Sequence, residues 1–251
     1  MLAAQRRDWL LARMARDGRL VAKDVAAELG VSEDSVRRDL RDLAAAGLCQ
    51  RVYGGALPAS PAVADYAART RLATDSKERV ARRAVHLVQP GSTVVLDGGT
   101  TTLAVARALP PDLACTVVTH SPTIAVALLD HPSVDVFVLG GRLFKHSAVT
   151  CGAATAEAAQ TVSADLFLLG VTGVHPERGL TTGDPDEAAV KRLLAGRSAE
   201  TWVLASAEKV GAASPYGVVP WDAVAGVVTD TDDDGAVGAL EQRGVRVLRA
   251  D

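Results

Sequence analysis

One short segment near the amino terminus, residues 31–48, constrains the fold more than any other part of the chain. On a helical wheel, Val36, Leu40 and Leu43 fall in one narrow stripe, and charged side chains fall opposite them. This pattern predicts an amphipathic helix that packs on one face and is solvated on the other. Ser32 stands at its N-cap, where a hydroxyl can accept a hydrogen bond from an unpaired backbone N–H.

Two neighbouring segments predict further helices that would pack against this one. Residues 22–29 predict a short helix, and Gly30 and Val31 join it to the central helix by a tight turn. That is the spacing of a helix-turn-helix. Residues 3–16 predict a third helix that would close a three-helix core. Its apolar face consists of Leu10, Leu11 and Met14, with Trp9 beside them.

Residues 48–56 predict a small hairpin, or wing, after the central helix. Arg51 and Tyr53 stand in it beside Gly54 and Gly55. An arginine next to two flexible glycines suits contact with a phosphate backbone or a minor groove. The helix-turn-helix and the wing together therefore predict a domain that binds double-stranded DNA.

Arginines dominate the outward face of the central helix, and their charge alone is equally typical of a solvated helix. The cap, the turn, the preceding helix and the wing favour DNA binding over that alternative. The residues that we expect to contact DNA are Ser32, Ser35, Arg37, Arg38, Arg41, Arg51, Tyr53 and Gly54.

Residues 6–56, and above all LGVSEDSVRRDLRDLAAAGLCQRVYGGA, resemble the winged helix-turn-helix of the DeoR family of bacterial transcriptional regulators. The shared features are a serine-capped helix containing Arg-Arg-Asp-Leu and a wing that ends in Gly-Gly-Ala. Two residues depart from the family pattern. Ser35 stands where threonine is usual, which keeps the hydroxyl, and Tyr53 stands where histidine is usual.

Composition indicates two domains and an unusual charge balance. The chain has 251 residues, 48% of them hydrophobic, which allows one ordinary core and a small second one. The net charge is −3, yet residues 1–56 carry ten basic and eight acidic side chains, which leaves −5 for the remainder. A weak positive excess argues against general coating of DNA and for a specific footprint, doubled by a homodimer or higher homo-oligomer.

Other classes of protein fit the composition poorly. No apolar run is long enough to cross a bilayer and the first twenty residues are charged throughout, so we expect a cytoplasmic protein without membrane partners. Cys49, Cys115 and Cys151 are far apart and lack CxxC spacing, which predicts buried reduced thiols. The histidines form no metal-binding pattern, and we expect neither a metal nor another cofactor.

Beyond the wing, the pattern predicts a linker and an α/β domain. We place the DNA-binding domain at residues 1–57, a linker at 58–75 and the α/β domain at 76–251, with a helical stretch over 66–87. Apolar runs then alternate with helical segments, which is the signature of a parallel, Rossmann-like sheet. The predicted strands are 93–96, 116–118, 134–139, 166–170, 201–204, 226–228 and 245–248.

Several predicted strands end in polar or glycine-rich loops, and the carboxyl ends of parallel strands meet in one crevice. The loop after the first strand reads Asp97-Gly98-Gly99-Thr100-Thr101-Thr102. Two glycines let the backbone approach a ligand, and the threonines open a helix whose free N–H groups suit a phosphate. An ordinary strand-to-helix turn is the alternative, and neither a Walker A nor a GxGxxG pattern is present.

Three charged residues after the later strands have both a functional and a structural interpretation. Asp184 and Pro185 predict the start of a helix, so Glu187 is explained as part of its cap. Lys191, four residues on, would then be its partner in an ion pair on the helix surface. Lys209 directly follows a strand, where it would face either the crevice or solvent.

Residues 77–230 resemble the DeoR-family sensor domain, which is related in fold to ribose-5-phosphate isomerase. The blocks LDGGTTT, VVTHS, LGG, LGVTGV, GLTTGDPDEAAVK and VLASAEK align in order. The resemblance implies a phosphorylated sugar as effector, with its phosphate near Gly99–Thr101 and a lysine at Lys209. The expected effector-binding residues are Asp97, Gly98, Gly99, Thr100, Thr101, Thr119, His120, Ser121, Gly173, Glu187, Lys191 and Lys209.

Three residues depart from the sensor pattern: Thr172 and Ser206 replace aspartates, and His120 replaces asparagine. Losing two carboxylates would remove hydroxyl-accepting groups and candidate general bases from the crevice. We therefore expect a DNA-binding regulator, most simply a repressor, rather than an enzyme. The alternatives are a sugar-phosphate isomerase or lyase that uses Glu187 and Lys209, and a regulator whose sensor answers to another ligand.

Overall fold

The structure is a computed structural model that describes residues 2–17, 19–46, 48–58 and 64–251. The predicted linker, 58–75, is therefore only partly described, because residues 59–63 lie outside these ranges. Within the described residues, no helix is long and apolar enough to cross a membrane.

The amino-terminal residues form the predicted three-helix core with a wing. The antiparallel strands of its small sheet lie in the order β1-β3-β2. The elements are α1 Ala3–Asp17, β1 Leu20–Val21, α2 Ala22–Leu29, α3 Glu33–Ala45, β2 Cys49–Val52 and β3 Gly55–Pro58. The predicted apolar faces are buried in one cluster that includes Leu10, Met14, Val36, Leu40 and Leu43.

The helical stretch predicted over residues 66–87 consists of two separate helices. They are α4 Tyr66–Arg69 and α5 Thr74–Val85. Ala73, just before α5, has a positive φ of 47°. The buried Lys77 donates from Nζ to the carbonyls of Arg69 and Leu72. The side chain of Lys77 thus takes up carbonyls that a continuous helix would have paired along its own backbone.

The remaining residues build the α/β domain around one seven-stranded sheet. Its elements are β4 Thr93–Leu96, α6 Thr100–Ala108, β5 Cys115–Thr119, α7 Pro122–Ala127, β6 Val134–Val138, β7 Arg142–Phe144, β8 Val149–Cys151, α8 Ala153–Gln160, β9 Ala164–Gly170, β10 Gly173–His175, β11 Gly179–Thr182, α9 Pro185–Ala195, β12 Ser198–Ala205, β13 Tyr216–Gly217, β14 Gly226–Thr229, α10 Asp234–Glu241 and β15 Val247–Arg249. All seven predicted strands are confirmed, within a few residues at their ends.

Every neighbouring pair in the large sheet is parallel, in the order β15-β14-β12-β9-β4-β5-β6. Successive side chains of a strand point to opposite faces, so the sheet separates two apolar layers. In β4, Val94 and Leu96 join the layer that contains Trp202, whereas Val95 joins the layer that contains Phe167. The three cysteines are free and buried, as predicted.

The chain reverses its direction of travel across the sheet between β4 and β9. From β4 it proceeds outward through β5 to β6, and from β9 it proceeds the other way through β12, β14 and β15. In an open parallel sheet, such a switch point leaves a crevice beyond the carboxyl ends of the two strands. Two small additional sheets, β7-β8 and β10-β11-β13, were not predicted, because their strands have only two to four residues.

Candidate functional site

The predicted cap of α3 is confirmed. The Oγ of Ser32 accepts a hydrogen bond from the backbone N of Ser35 at 3.2 Å. The two hydroxyls also lie 2.9 Å apart. Glu33 and Asp34 occupy the first turn, where negative charge complements the helix dipole. The hydroxyl of Ser35 is therefore already engaged within the helix, and its contact with DNA stays a prediction.

The arginines of α3 differ in their surroundings. Arg37 donates from Nη2 to the Oε1 of Glu33 at 2.6 Å, one turn earlier. Arg38 and Arg41 are exposed, and neither has an ion pair or hydrogen bond from its side chain within the part of the chain that the structure describes. These two guanidinium groups are thus the cations of the helix that remain available to an external anion.

Asp39, between Arg38 and Arg41, has a structural role that was not predicted from the sequence. Its carboxylate is buried and pairs with Arg6 of α1, through Nε and Oδ2 at 2.5 Å, and with Arg7 at 3.5 Å. Arg6 and Arg7 of α1 are thereby engaged inside the domain and hold α3 in place. The signal was available, because Asp39 directly precedes Leu40 of the buried stripe, and a buried carboxylate requires a partner.

The tip of the wing lies beside α3. The turn between β2 and β3 contains Tyr53, which is fully exposed, and Gly54, which has a φ of 80°. A cleft of about 470 Å³ separates the wing from α3, and its basic lining residues are Lys23, Arg37 and Arg51. Glu33 also lines this cleft, where it pairs with Arg37. Of the predicted DNA-contacting residues, Arg37, Arg51, Tyr53 and Gly54 line the cleft.

Gly55→Ala is expected to lower the free energy of unfolding of this domain by about 3 kcal/mol, as overpacked substitutions do. A Cβ at Gly55 would lie 1.7 Å from the carbonyl oxygen of Leu20, because β1 and β3 approach closely there. Gly54→Ala is the control: its Cβ would meet no atom within 4 Å, and only the positive φ would cost about 1–2 kcal/mol. Urea denaturation measures both, and equal losses would contradict this explanation.

The second site is the crevice at the switch point of the sheet. Its walls come from the ends of β4, β9 and β12, from α9, and from the segment that precedes α5. The lining residues are Arg69, Leu72, Lys77, Gly98, Gly99, Thr100, Thr101, Thr102, Gly170, Val171, Thr172, Glu187, Lys191, Glu208 and Lys209. The free volume is about 30 Å³, which is room for about two water molecules. A larger ligand therefore requires the walls to move apart.

Asp97 lies behind the wall of this crevice and is completely buried. Its Oδ1 accepts from the backbone N of Gly98 at 2.9 Å and lies 2.8 Å from the Nε2 of His120. Its Oδ2 accepts from the backbone N of Gly170 at 2.8 Å and from the Nζ of Lys191. Burial raises the pKa of Asp97, but Lys191 and His120 outweigh burial, so its pKa is lowered and the carboxylate is charged.

The predicted effector residues separate into two groups. Gly98, Gly99, Thr100, Thr101, Glu187, Lys191 and Lys209 line the crevice. Asp97, Thr119, His120 and Ser121 have no exposed surface and lie behind the wall, and the backbone of Gly173 packs against the carbonyl of Ala212. His120 spans Asp97 and the carbonyl of Thr150, the latter at 2.8 Å from Nδ1. Effector contact by any of these residues stays a prediction.

Four cationic side chains line the crevice, and the sequence analysis had assigned only Lys191 and Lys209 to it. The Nζ of Lys209 donates to the Oγ1 of Thr101 at 2.8 Å. The pKa of Lys209 is lowered to about 8, chiefly by burial and also by the nearby Lys77 and Arg69, against the opposing effect of Glu208. Arg69 and Lys77 were missed because the break in the predicted helix brings them over the crevice.

The structure corrects the surface interpretations of the two lysines. Lys191 is only 2% exposed: its Nζ lies 3.6 Å from Glu187 in the expected i,i+4 pair, but this pair is buried. Lys209 is also buried. Asp184 caps α9 as predicted, accepting from the backbone N of Glu187 at 3.0 Å. Glu187 itself does not complete a reciprocal cap, because its Oε2 accepts from Ser147 at 3.0 Å.

The effect of the carboxylates missing at positions 172 and 206 stays a prediction, although other carboxylates line the crevice. The Oγ1 of Thr172 donates to the carbonyl of Thr181 at 3.0 Å, so this residue is engaged in local structure. The Oγ of Ser206 donates to the Oε1 of Glu208 at 2.7 Å. Glu187 and Glu208 both line the crevice and supply the carboxylates that positions 172 and 206 lack.

A helix-turn-helix with free arginines, joined to an α/β domain with a ligand crevice, defines a DNA-binding transcriptional regulator with a sensor domain. Residues 6–61 match the family model described as the DeoR-like helix-turn-helix domain, and residues 72–231 match the DeoR C terminal sensor domain. The chain belongs to the DeoR family of transcriptional regulators. This membership favours the predicted regulator over the isomerase or lyase alternative.

Two relatives match over almost their full length. The HTH-type transcriptional regulator GlpR of Haloferax volcanii is 32% identical over 252 residues, which cover 99% of this chain and 98% of that protein. The putative aga operon transcriptional repressor of Escherichia coli O157:H7 is 30% identical over 253 residues, which cover 98% and 93%. Ribose 5-phosphate isomerase A of Methanocaldococcus jannaschii superposes over 54% of each chain with a TM-score of 0.41 and 18% identity.

Proposed function

We propose that the protein is a repressor of carbohydrate-metabolism genes that binds operator DNA as a homodimer or higher homo-oligomer and is released by a phosphorylated sugar. The observation that carries this proposal is the crevice at the switch point. Four cationic side chains line it together with the amino-terminal residues of α6, and Lys209 contacts Thr101 there. A small DNA-binding domain and a sensor for an anion lie on one chain, and the segment between them lines the crevice.

On the DNA side, α3 would enter a major groove and the wing would follow the adjacent backbone. Arg38 and Arg41 would supply contacts to bases and phosphates, since neither side chain has a partner among the described residues. Arg51 and Tyr53 would supply the wing contacts. A domain with a net charge of only +2 gains little from non-specific attraction, which supports two copies on a repeated or palindromic site.

On the sensor side, the crevice is suited to a phosphate monoester. The first N–H groups of a helix lack backbone partners, and those of α6 begin at the Gly99 cap. Lys209, bonded to Thr101, stands beside them and adds a positive charge. The carboxylates of Glu187 and Glu208 would accept hydrogen bonds from sugar hydroxyls. Recognition of both parts of the ligand would thus come from one crevice.

Coupling between the two sites would run through the segment 64–73. This segment belongs to the predicted linker, residues 58–75, and its residues Arg69 and Leu72 form part of the crevice wall. Lys77 holds both residues through their carbonyls. Because the crevice has almost no free volume, an entering effector would displace this wall. The displacement would change the spacing of paired recognition helices, so the effector and the operator would compete through a coupling free energy.

The test is fluorescence anisotropy of the full-length protein with labelled DNA from upstream of its own gene and of adjacent genes. Titrations at two salt concentrations separate specific from non-specific binding. A panel of pentose, hexose and triose phosphates is then added to the complex. Saturable binding that survives competitor DNA and is weakened by one phosphosugar is the expected result.

Two other outcomes would change the proposal in different ways. Specific DNA binding that no phosphosugar weakens would support the proposed operator binding. It would also indicate that the sensor domain binds another class of ligand. Absence of specific binding to any of these DNA segments, together with turnover of a phosphosugar detected by NMR, would overturn the proposal in favour of an enzyme.

Lys209→Met is expected to weaken the binding of the phosphosugar found in this panel by about tenfold to a hundredfold, the usual value of a hydrogen bond to a charged group. Methionine keeps the length and apolar stem of the side chain but removes its charge. Isothermal titration calorimetry measures the change. Lys145→Met, at an exposed lysine outside the crevice, is the control and should bind as the wild type does.

The same lysine predicts a pH dependence. Because the pKa of Lys209 is lowered to about 8, its positive charge is complete near pH 6 and is lost as the pH rises through that value. Affinity for a phosphate monoester should therefore fall between pH 7 and pH 9 in the wild type. In Lys209→Met it should stay level over this range. A parallel decline in both proteins would assign the titration to another group.

A further inference from the structure

Glu208 lies in a short 3-10 turn directly after β12, on the wall of the crevice. Its Oε1 accepts a hydrogen bond from the completely buried Ser206 at 2.7 Å. Its Oε2 is also buried, but has no hydrogen-bond partner among the residues that the structure describes. An ionised carboxylate only accepts hydrogen bonds, so the missing partner must be a donor.

Arg69 presents the complementary feature on the same wall. Its Nη2 donates to the carbonyl of His146 at 2.9 Å and to the Oγ of Ser147 at 3.3 Å, which holds the guanidinium in place. Its Nε is buried and unpartnered within the described ranges. Unpartnered buried polar atoms are rare in native structures. An unpartnered acceptor on Glu208 and an unpartnered charged donor on Arg69, both in one crevice, point to a ligand that carries a hydrogen-bond donor and an acceptor.

Charge balance alone does not account for Glu208. Its negative charge does offset Lys77 and Lys209, and it raises the pKa of both. A carboxylate beside a phosphate nevertheless weakens the binding of that phosphate, because like charges repel. The carboxylate becomes favourable when the ligand brings a hydroxyl to Oε2. Ser206 fixes the other oxygen, so Oε2 is already oriented before the ligand arrives.

We propose that Glu208 is a specificity-determining residue that selects phosphate monoesters carrying a hydroxyl on the carbon chain, and that Ser206 positions it. The basis is the geometry of one pre-oriented, unpartnered carboxylate oxygen and one unpartnered guanidinium N–H in the same crevice. This inference rests on the proposed phosphosugar sensing, and extends it by naming the residue that distinguishes a hydroxylated ester from a bare one. A site built to bond a hydroxyl rejects the analogue without it.

The experiment compares ligands that differ only in hydroxyl groups. Glycerol 3-phosphate and n-propyl phosphate have the same number of carbons, and ribose 5-phosphate, glucose 6-phosphate and inorganic phosphate complete the set. Each is titrated calorimetrically into full-length wild type, Glu208→Gln, Ser206→Ala and the control Glu241→Gln, which alters an exposed glutamate of α10. Thermal unfolding of each variant shows that it is folded.

In the wild type and the control, at least one hydroxylated ester should bind about tenfold to a hundredfold more tightly than n-propyl phosphate, as expected for a hydrogen bond to a charged acceptor. Glu208→Gln should abolish this preference while leaving n-propyl phosphate and inorganic phosphate bound as tightly or more tightly. Ser206→Ala, which keeps the carboxylate but frees it, should reduce the preference partially. It also serves as the second test should Glu208→Gln fail to fold.

The remaining outcomes separate this inference from the proposed function. An undiminished preference in both Glu208→Gln and Ser206→Ala would overturn the role of Glu208. Wild-type protein that binds phosphate esters without regard to hydroxyl groups would also overturn it, and would leave an anion sensor standing. Failure of the wild type to bind any of these phosphates would overturn phosphosugar sensing itself, and this inference with it.

Discussion

Asp97→Ala is expected to lower the free energy of unfolding by about 3–5 kcal/mol, the usual cost of removing one partner from a buried ion pair. Asp97 is completely buried and Lys191 is 2% exposed, so the variant leaves an ammonium group without its nearest anion. The backbone N–H groups of Gly98 and Gly170 lose an acceptor at the same time. Urea denaturation followed by circular dichroism measures the change. Asp112→Ala, at an exposed carboxylate, should change it little.

A second substitution separates the buried charge from the loss of packing. If the uncompensated ammonium dominates, Lys191→Met in the Asp97→Ala background should recover part of the lost stability, because buried pairs replaced by apolar groups cost little. Simple addition of the two single losses would contradict this explanation. Glu187, 3.6 Å from Lys191, limits the recovery, since it loses its own cation in the double variant.

The contribution of Asp97 should also depend on pH in a defined direction. Its pKa is lowered in the folded protein, although burial alone raises it, because Lys191 and His120 stabilise the charged form. The stabilisation is therefore fully present above the pKa of the unfolded chain, about 3.9, and is lost as the pH falls below that value. The stability difference between the wild type and Asp97→Ala should be constant from pH 7 to pH 5 and shrink in stronger acid.

Arg38→Ala is expected to lower the affinity for the specific operator by about 1–3 kcal/mol for each recognition helix, and by about twice that for a dimer on two half-sites. Arg38 is exposed on α3 and has no partner within the described residues, so its loss costs the protein little stability. Operator binding measured by anisotropy should fall while binding to non-specific DNA changes much less. Arg249→Ala, at a surface arginine of the sensor domain, is the control.

Binding to several DNA sequences and at several salt concentrations distinguishes a base contact by Arg38 from a phosphate contact. A base contact changes which sequences are preferred, whereas a phosphate contact weakens binding to all sequences and reduces the salt dependence. Arg38→Ala should therefore relax discrimination at one base pair of each half-site. Operator affinity and sequence preference that both equal those of the wild type would remove Arg38 from the interface.

Local patterns were sufficient to predict the elements of this chain. These patterns are local: each involves residues only a few positions apart. They are the period of the apolar stripe of α3, the hydroxyl of Ser32 and the Asp184-Pro185 pair. The amphipathic helix α3 with its N-cap Ser32, and the N-cap Asp184 of α9, accordingly match the structure. The seven apolar runs also match, because strands buried on both faces, such as β4, β9 and β14, must be largely apolar. Short strands such as β7 and β13 were not predicted, because they are defined by pairing with a neighbouring strand rather than by their composition.

The position of the crevice could be predicted from the sequence, but its lining residues could be predicted only in part. Glycine-rich loops after successive strands located it, because the ends of parallel strands must meet at one edge of the sheet. The sequence analysis placed Asp97 and His120 among the ligand contacts, yet these two bond to each other beneath the wall. It left out Arg69 and Glu208, which line the crevice. Whether a polar side chain faces a ligand or a buried partner depends on contacts between distant residues, which no local pattern records.

By itself, the sequence determined the amphipathic helix α3 and the positions of the strands along the chain, because these follow from hydrophobic periodicity and from capping over short distances. Only the tertiary structure decided which charges are buried and which are free. Lys191 meets Asp97 across 94 positions of the chain, and Lys77 ends a helix by capturing the carbonyls of Arg69 and Leu72. The physical reason is that burying a charge costs free energy unless a partner is present, and that partner is supplied by folding.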